Sequence, residues 1–137
     1  SKFHDKNYPK GKLIEEYTEF LNECPQYYRA YYERAILYTH VGRYKEAIAD
    51  NEILIKHNER LWSDALINKA EALYFMKEYG LALKSANRYF EVEEQTESEA
   101  YKIREEIFKK LKMYDEHNAD MRMYKKKEKE KKKKKKY

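Results

Sequence analysis

A tyrosine that opens a helical run returns along this chain at a nearly fixed interval. The four instances are YPKG at 8–11, YKEA at 44–47, YGLA at 79–82 and YDEH at 114–117, separated by 36, 35 and 35 residues. Other columns keep the register: Ala30, Ala65 and Ala100; Tyr31, Leu66 and Tyr101; Arg34, Lys69 and Arg104; Tyr38, Leu73 and Phe108. A period of this length means stacked supersecondary units, none of which can bury its apolar face alone. Within one unit, Tyr31, Ala35 and Tyr38 fall at helical spacing, HVGRY at 40–44 breaks the run, and Ala47, Ile48, Asn51 and Leu54 resume it. Each unit is therefore a helix, a tight turn and an antiparallel helix, with Ala35 and Ala47 small where the two helices approach closely.

Composition supports an all-α fold. Only three Gly and two Pro interrupt 137 residues, and 40% of the chain is charged, which suits long solvated helices. No apolar stretch approaches the ~18 residues of a membrane helix. The single cysteine, Cys24, excludes an internal disulfide, and the opening residues do not resemble a secretory signal, so a cytoplasmic or nuclear setting is expected.

The repeat pattern resembles the tetratricopeptide family, whose unit of about 34 residues is a helix-turn-helix with an aromatic-x-x-Ala signature opening its second helix. The segments AYYERAILYTHVGRYKEAIADNEILI and DALINKAEALYFMKEYGLALKSANRYF carry the resemblance most fully. It implies a right-handed superhelical stack of about three and a half repeats. Residues 1–26 form a half repeat closed by Pro25, as if cut from a longer array; full repeats follow at about 27–61, 62–96 and 97–124, then a lysine-rich helical or disordered tail at 125–137. The joint between units is a residue longer than the family's, with TESE at 96–99 reading as a capping box.

The resemblance also places function on a surface, since the first helix of each unit in this family lines a concave groove for peptides or partner helices. The groove positions carried over are Arg29, Tyr32, Ile36 and His40, then Asp64, Ile67, Asn68, Glu71 and Tyr74, then Glu99, Lys102, Glu106 and Lys109. The expected groove is aromatic and aliphatic at one end and charged at the other, and its partners are other proteins. A heat-shock chaperone carboxyl terminus is not expected among them. Of the five clamp positions, Tyr32, Ile36, Asn68, Glu99 and Ile103, only Asn68 matches; shifting by one unit puts Glu33 and Asp64 where donors are needed.

Pentatricopeptide repeats, which read RNA, share the 35-residue period, but the second helices here end in IKHNERLW and YFEVEEQTE rather than in Gly and Pro-Asp. An RNA-associated adaptor is the alternative function. The chemistry-bearing residues are sparse: His4, His40, His57 and His117 are scattered, and no metal-ligand spacing, phosphate loop or nucleophile elbow is present. Neither catalysis, metal nor cofactor is expected, and Cys24 reads as a small apolar filler. In the last unit the family's two small positions hold Glu105 and His117, which face each other. They form either a buried acid–imidazole pair or, the reading favoured by terminal position, part of a loosened end repeat with an exposed polar surface.

The basic tail accounts for the chain's alkaline character. Residues 125–137 hold Lys125, Lys126, Lys127, Lys129, Lys131, Lys132, Lys133, Lys134, Lys135 and Lys136 against two Glu, a net +8, so the other 124 residues sum to −3 against the chain's +5. A body without net positive charge lacks the footprint of a nucleic-acid-binding fold, so any nucleic-acid contact is expected through these tail lysines alone. No Gly or Pro separates the tail from the preceding helical pattern, which predicts a helix running out into solvent and fraying as its like charges repel.

Overall fold

In the computed structural model, which describes residues 7–57 and 61–135, the chain is all-helical. Seven helices follow one another among the described residues: α1 Lys10–Glu23, α2 Tyr28–His40, α3 Tyr44–Lys56, α4 Trp62–Phe75, α5 Tyr79–Val92, α6 Ser98–Lys110 and α7 Tyr114–Lys135. Each packs on its sequence neighbour, and the first helices of successive units also touch, α2 on α4 and α4 on α6. The result is an α-solenoid, with α2–α3, α4–α5 and α6–α7 as full units and α1 in the place of a preceding second helix. His4 and Lys136 lie outside the described residues.

The repeated alanines explain how closely the helices approach. Ala30, Ala65 and Ala100 are 1%, 0% and 2% exposed, and Ala35, Ala47, Ala70 and Ala82 are equally enclosed. Ala has no side chain beyond Cβ, so backbones come together and larger neighbours fill the flanks. Leu66, Ile67, Leu73, Tyr89 and Ile107 build the main core around α4 and α5; Ile14, Tyr38, Ala47 and Ala72 form a second cluster toward α1.

The turn inside each unit repeats to the residue. Gly42, Lys77 and Lys112, spaced at the repeat period, all have positive φ, at 81°, 64° and 61°. After each of them a backbone N–H reaches back to the last turn of the first helix: Arg43 to Tyr38 O at 2.8 Å, Glu78 to Leu73 O at 2.9 Å and Met113 to Phe108 O at 2.9 Å. These are Schellman closures, which satisfy carbonyls left open at a helix end.

Three local expectations are corrected. The residues at 96–99 do not make a capping box: Glu97 is the N-cap of α6 without a side-chain bond, and Thr96 instead bonds the Tyr101 hydroxyl at 3.3 Å. Ser98 is drawn away to α7, where Glu128 and Lys131 each approach its hydroxyl at 2.6 Å. The lysine-rich segment is accordingly helical through Lys135, and its first turns pack back on the start of α6 rather than leaving the body at residue 125. Beyond that attachment Lys132, Lys133, Lys134 and Lys135 form an exposed last turn of α7. Their positive charge lies at the negative end of the helix dipole, which offsets part of their mutual repulsion. Of the earlier tail lysines, Lys125, Lys126, Lys129 and Lys131 are exposed and Lys127 is half-buried. Cys24, expected as an apolar filler, is an exposed free thiol.

Candidate functional site

The positions expected to line a groove lie on α2, α4 and α6, of which α2 touches α4 and α4 touches α6. On α4, Asp64, Asn68 and Glu71 recur at spacings of four and three and so share one face. The Arg29 guanidinium stacks over the Tyr32 ring at 5.1 Å and also pairs with Glu33 at 2.8 Å. Asn68, on α4, lies beside the Tyr32 hydroxyl of α2, where it counters part of the rise that burial gives the phenol. Tyr74 sits at the other end of α4 against Phe75 and Tyr79, with ring centroids 5.6 and 5.7 Å away. On α6, Lys102 bonds Glu105 at 3.0 Å and approaches Glu106 at 3.6 Å.

The structure thus brings Arg29, Tyr32, Asp64, Asn68, Glu71, Tyr74, Lys102 and Glu106 into one electrostatically coupled face. Ile36 is half-buried, whereas Ile67 packs into the main core at 8% exposure and offers little surface to a partner. His40, Glu99 and Lys109 are exposed on the same helices. The tail lysines Lys125, Lys126, Lys129, Lys131, Lys132, Lys133, Lys134 and Lys135 make a separate basic surface on α7, a second helix, and so are not brought into the groove.

The middle of this face is more acidic than its residue types suggested. Burial first, then the neighbouring Glu93 and Glu97, push the Asp64 carboxyl above the usual aspartate range. Glu71 is raised in the same way by burial and by Glu106 and Glu99. Burial and Asp64 also raise the Tyr32 phenol. Two half-buried carboxylates therefore stand among other acids, Asp64 with the longer-range pull of Arg29 and neither in an ion pair among the described residues, an arrangement that a further positive charge would relieve.

Glu105 and His117 do face each other, and they are enclosed. Their side chains are 5% and 13% exposed, with His117 Nδ1 2.8 Å from Glu105 Oε2 and 2.9 Å from the Glu105 carbonyl oxygen. Both neighbours are acceptors, so Nδ1 carries the hydrogen. The exposed, loosened end expected of the terminal repeat is not what forms. Large polar groups replace the two small residues and bond each other, and Lys102 completes the cluster, its ammonium raised above the ordinary lysine value chiefly by the bond to Glu105.

One feature escaped the sequence reading. Arg34 grips Asp50 with two bonds of 2.8 and 2.7 Å, and Arg104 grips Asp120 with two of 2.7 and 2.8 Å. Both pairs span sixteen residues and lie two periods apart, linking the first helix of a unit to its second. Arg34 also bonds Thr18, and Arg104 bonds Asn87, each on the preceding helix. The arginine column was visible in the sequence; its partner column, Asp50, Ser85 and Asp120, emerges once the alignment is carried into the second helices.

Comparison with protein-family models finds no match for this chain, and comparison with curated protein sequences finds none either. No described helix is long and apolar enough to cross a membrane, and no group of three or more His, Cys, Asp or Glu among the described residues is placed to hold a metal ion.

Proposed function

We propose that this chain is a tetratricopeptide-type interaction module that holds a segment of a partner protein along the α2–α4–α6 face and acts as a scaffold without catalysis. The observation that carries this reading is the lateral contact of the three first helices, which makes a continuous rigid surface from residues otherwise 35 positions apart. Tyr32 and Tyr74 are the anchors, because an aromatic ring offers large contact area with few rotors to freeze. The unneutralised Asp64 and Glu71 between them favour a segment with Lys or Arg at its centre flanked by apolar residues. This replaces the simple gradient from apolar to charged, since Ile67 is withdrawn into the core. An RNA-associated adaptor working through Lys125 to Lys135 is the second reading, supported by the exposed basic helix that ends the described chain.

The test is affinity capture of partners with the whole chain, followed by binding measurements on variants whose circular dichroism is unchanged. Tyr32→Ala and Tyr74→Ala should each weaken a true partner at least tenfold, equivalent to the ~2 kcal/mol typical of a hot-spot aromatic. Lys109→Ala should mainly change the salt dependence. Lys45→Glu, on an exposed position of α3, is the opposite-face control; Asn51, fully buried, cannot serve. Normal binding by both tyrosine variants with loss in Lys45→Glu would move the site to the other face.

A further inference from the structure

The three units are not equivalent, and besides the Glu105 and His117 of the last unit a second departure lies in the middle one. Along six columns the outer units agree and the middle unit differs. Tyr31 and Tyr101 correspond to Leu66; Arg34 and Arg104 to Lys69; Tyr38 and Phe108 to Leu73; Glu46 and Glu116 to Leu81; Ala49 and Ala119 to Lys84; Asp50 and Asp120 to Ser85. Rings have become leucines, the bidentate pair has become lysine and serine, and the second helix has gained an outward leucine and a lysine.

In the outer units these positions are filled. The Arg34 guanidinium lies 5.7 and 5.4 Å from the Tyr31 and Tyr38 ring centres while holding Asp50. Arg104 lies 5.5 Å from the Phe108 ring and 3.7 Å from Phe90 while holding Asp120. In the middle unit a cleft of about 510 Å³ occupies the corresponding place, floored by α4 through Leu66, Lys69 and Leu73 and walled by α3 and α5. This volume lies within the range of known ligand sites. At 100° per residue, its floor is the side of α4 opposite Asp64, Asn68 and Glu71, so the cleft is separate from the groove.

The cations of the cleft are weakly engaged. Ser85 gives its hydroxyl to the Leu66 carbonyl at 2.7 Å and leaves Lys69 without the acid that position supplies elsewhere. Lys69 instead reaches Glu52 at 3.4 Å, and that carboxylate is 56% exposed and solvated. Lys84 has no ion-pair partner among the described residues, while Arg88, also on the wall, is held by Glu91 at 3.1 Å. At the rim Leu81 stands 55% exposed where the outer units carry glutamate.

We infer that the cleft over Leu66, Lys69 and Leu73 is a second binding site, which takes a partner segment carrying an Asp or Glu beside an aromatic residue. Such a segment restores what the outer units possess and the middle unit lacks, an enclosed carboxylate on the position-69 cation in place of the solvated Glu52, and rings at the positions of Leu66 and Leu73. The occupant is a peptide rather than a free aromatic acid, because Leu81 extends the apolar surface beyond the cleft and only a continuing chain covers it.

The probe is an end-blocked, fluorescein-labelled dodecapeptide with a Phe-Asp-Ala-Ala-Phe core in Gly-Ser flanks, compared with its Asn counterpart and with free phenylacetate. Binding is followed by fluorescence anisotropy and by backbone amide shifts of the whole chain. The expected result is saturable binding that moves the amides of Leu66–Leu73 and Leu81–Arg88, with the Asn peptide at least tenfold weaker. Lys69→Met should abolish the preference for Asp. Lys69→Arg combined with Ser85→Asp, which restores the outer-unit pair, should abolish binding while raising the melting temperature, so that loss cannot be blamed on unfolding. The inference is overturned by any of these results: no amide shift at millimolar peptide, shifts confined to α2 and α6, equal binding by the repaired variant, or phenylacetate binding as tightly as the peptide.

Discussion

Gly42, Lys77 and Lys112 occupy one structural position, yet only the first is the residue that position favours. Each closes a helix in the left-handed region, where a Cβ crowds the following carbonyl at a cost of ~1 to 2 kcal/mol. A Cβ built on Gly42 would meet nothing within 4 Å, so the conformation alone sets the cost of replacing it. Gly42→Ala should therefore destabilise the fold by ~1 kcal/mol, whereas Lys77→Gly and Lys112→Gly should each stabilise it by about 0.5 to 1 kcal/mol. Urea unfolding followed by circular dichroism measures all three; a destabilised Lys77→Gly would show that the lysine makes a contribution the turn geometry does not reveal. The two lysines could not be picked out from residue type, because lysine carries no turn preference. The 35-residue column beneath Gly42 was the available signal.

At the scale of helix pairs, α2–α3 and α4–α5 close on alanines, while α6–α7 closes on Glu105 and His117. Removing one member leaves the other buried with fewer partners, a loss of ~1 to 3 kcal/mol. His117→Ala and Glu105→Ala should each cost about that much. Together they should cost clearly less than the sum, because the double variant restores the small-on-small contact of the other units and leaves no orphan. Thermal unfolding of the four proteins closes this cycle, and strict additivity would mean that the imidazole and carboxylate do not act as a pair. Polarity at these two positions suggested a frayed last repeat. What sequence could not supply was the geometry in which each group satisfies the other, with Lys102 beside them.

For the whole molecule, the lysine-rich helix is an appendage attached through Glu128 and Lys131 to the buried Ser98. Ending the chain after Tyr124 removes the contacts of Glu128 and Lys131 with Ser98, whose hydroxyl water can then solvate. Helix content per residue and melting temperature should change little, while any affinity for single-stranded RNA should vanish. In the intact chain the logarithmic salt slope should be no steeper than about −6, the value if ~8 phosphates are neutralised at ~0.7 each. A shortened chain that kept RNA affinity and chose among sequences would favour an RNA-reading array over a protein scaffold.

The sequence by itself determined the helical class, the repeat period and the stacking of units, because each follows from spacing: small and large residues recurring at 3.6 within a helix and at 35 between units. Through its resemblance to the tetratricopeptide family it also placed Tyr32, Asn68, Glu71 and Tyr74 on the first helices of neighbouring units. Only the tertiary structure decided which of those side chains remain accessible, since burial depends on the neighbouring helix, as Ile67 shows by turning into the core. It likewise decided that Glu105 and His117 are enclosed, that Arg34 holds Asp50 and Arg104 holds Asp120, and that the unit between them carries a cleft. A pair sixteen residues apart is joined through space by the fold of two helices, and no local pattern records whether the space between them is filled.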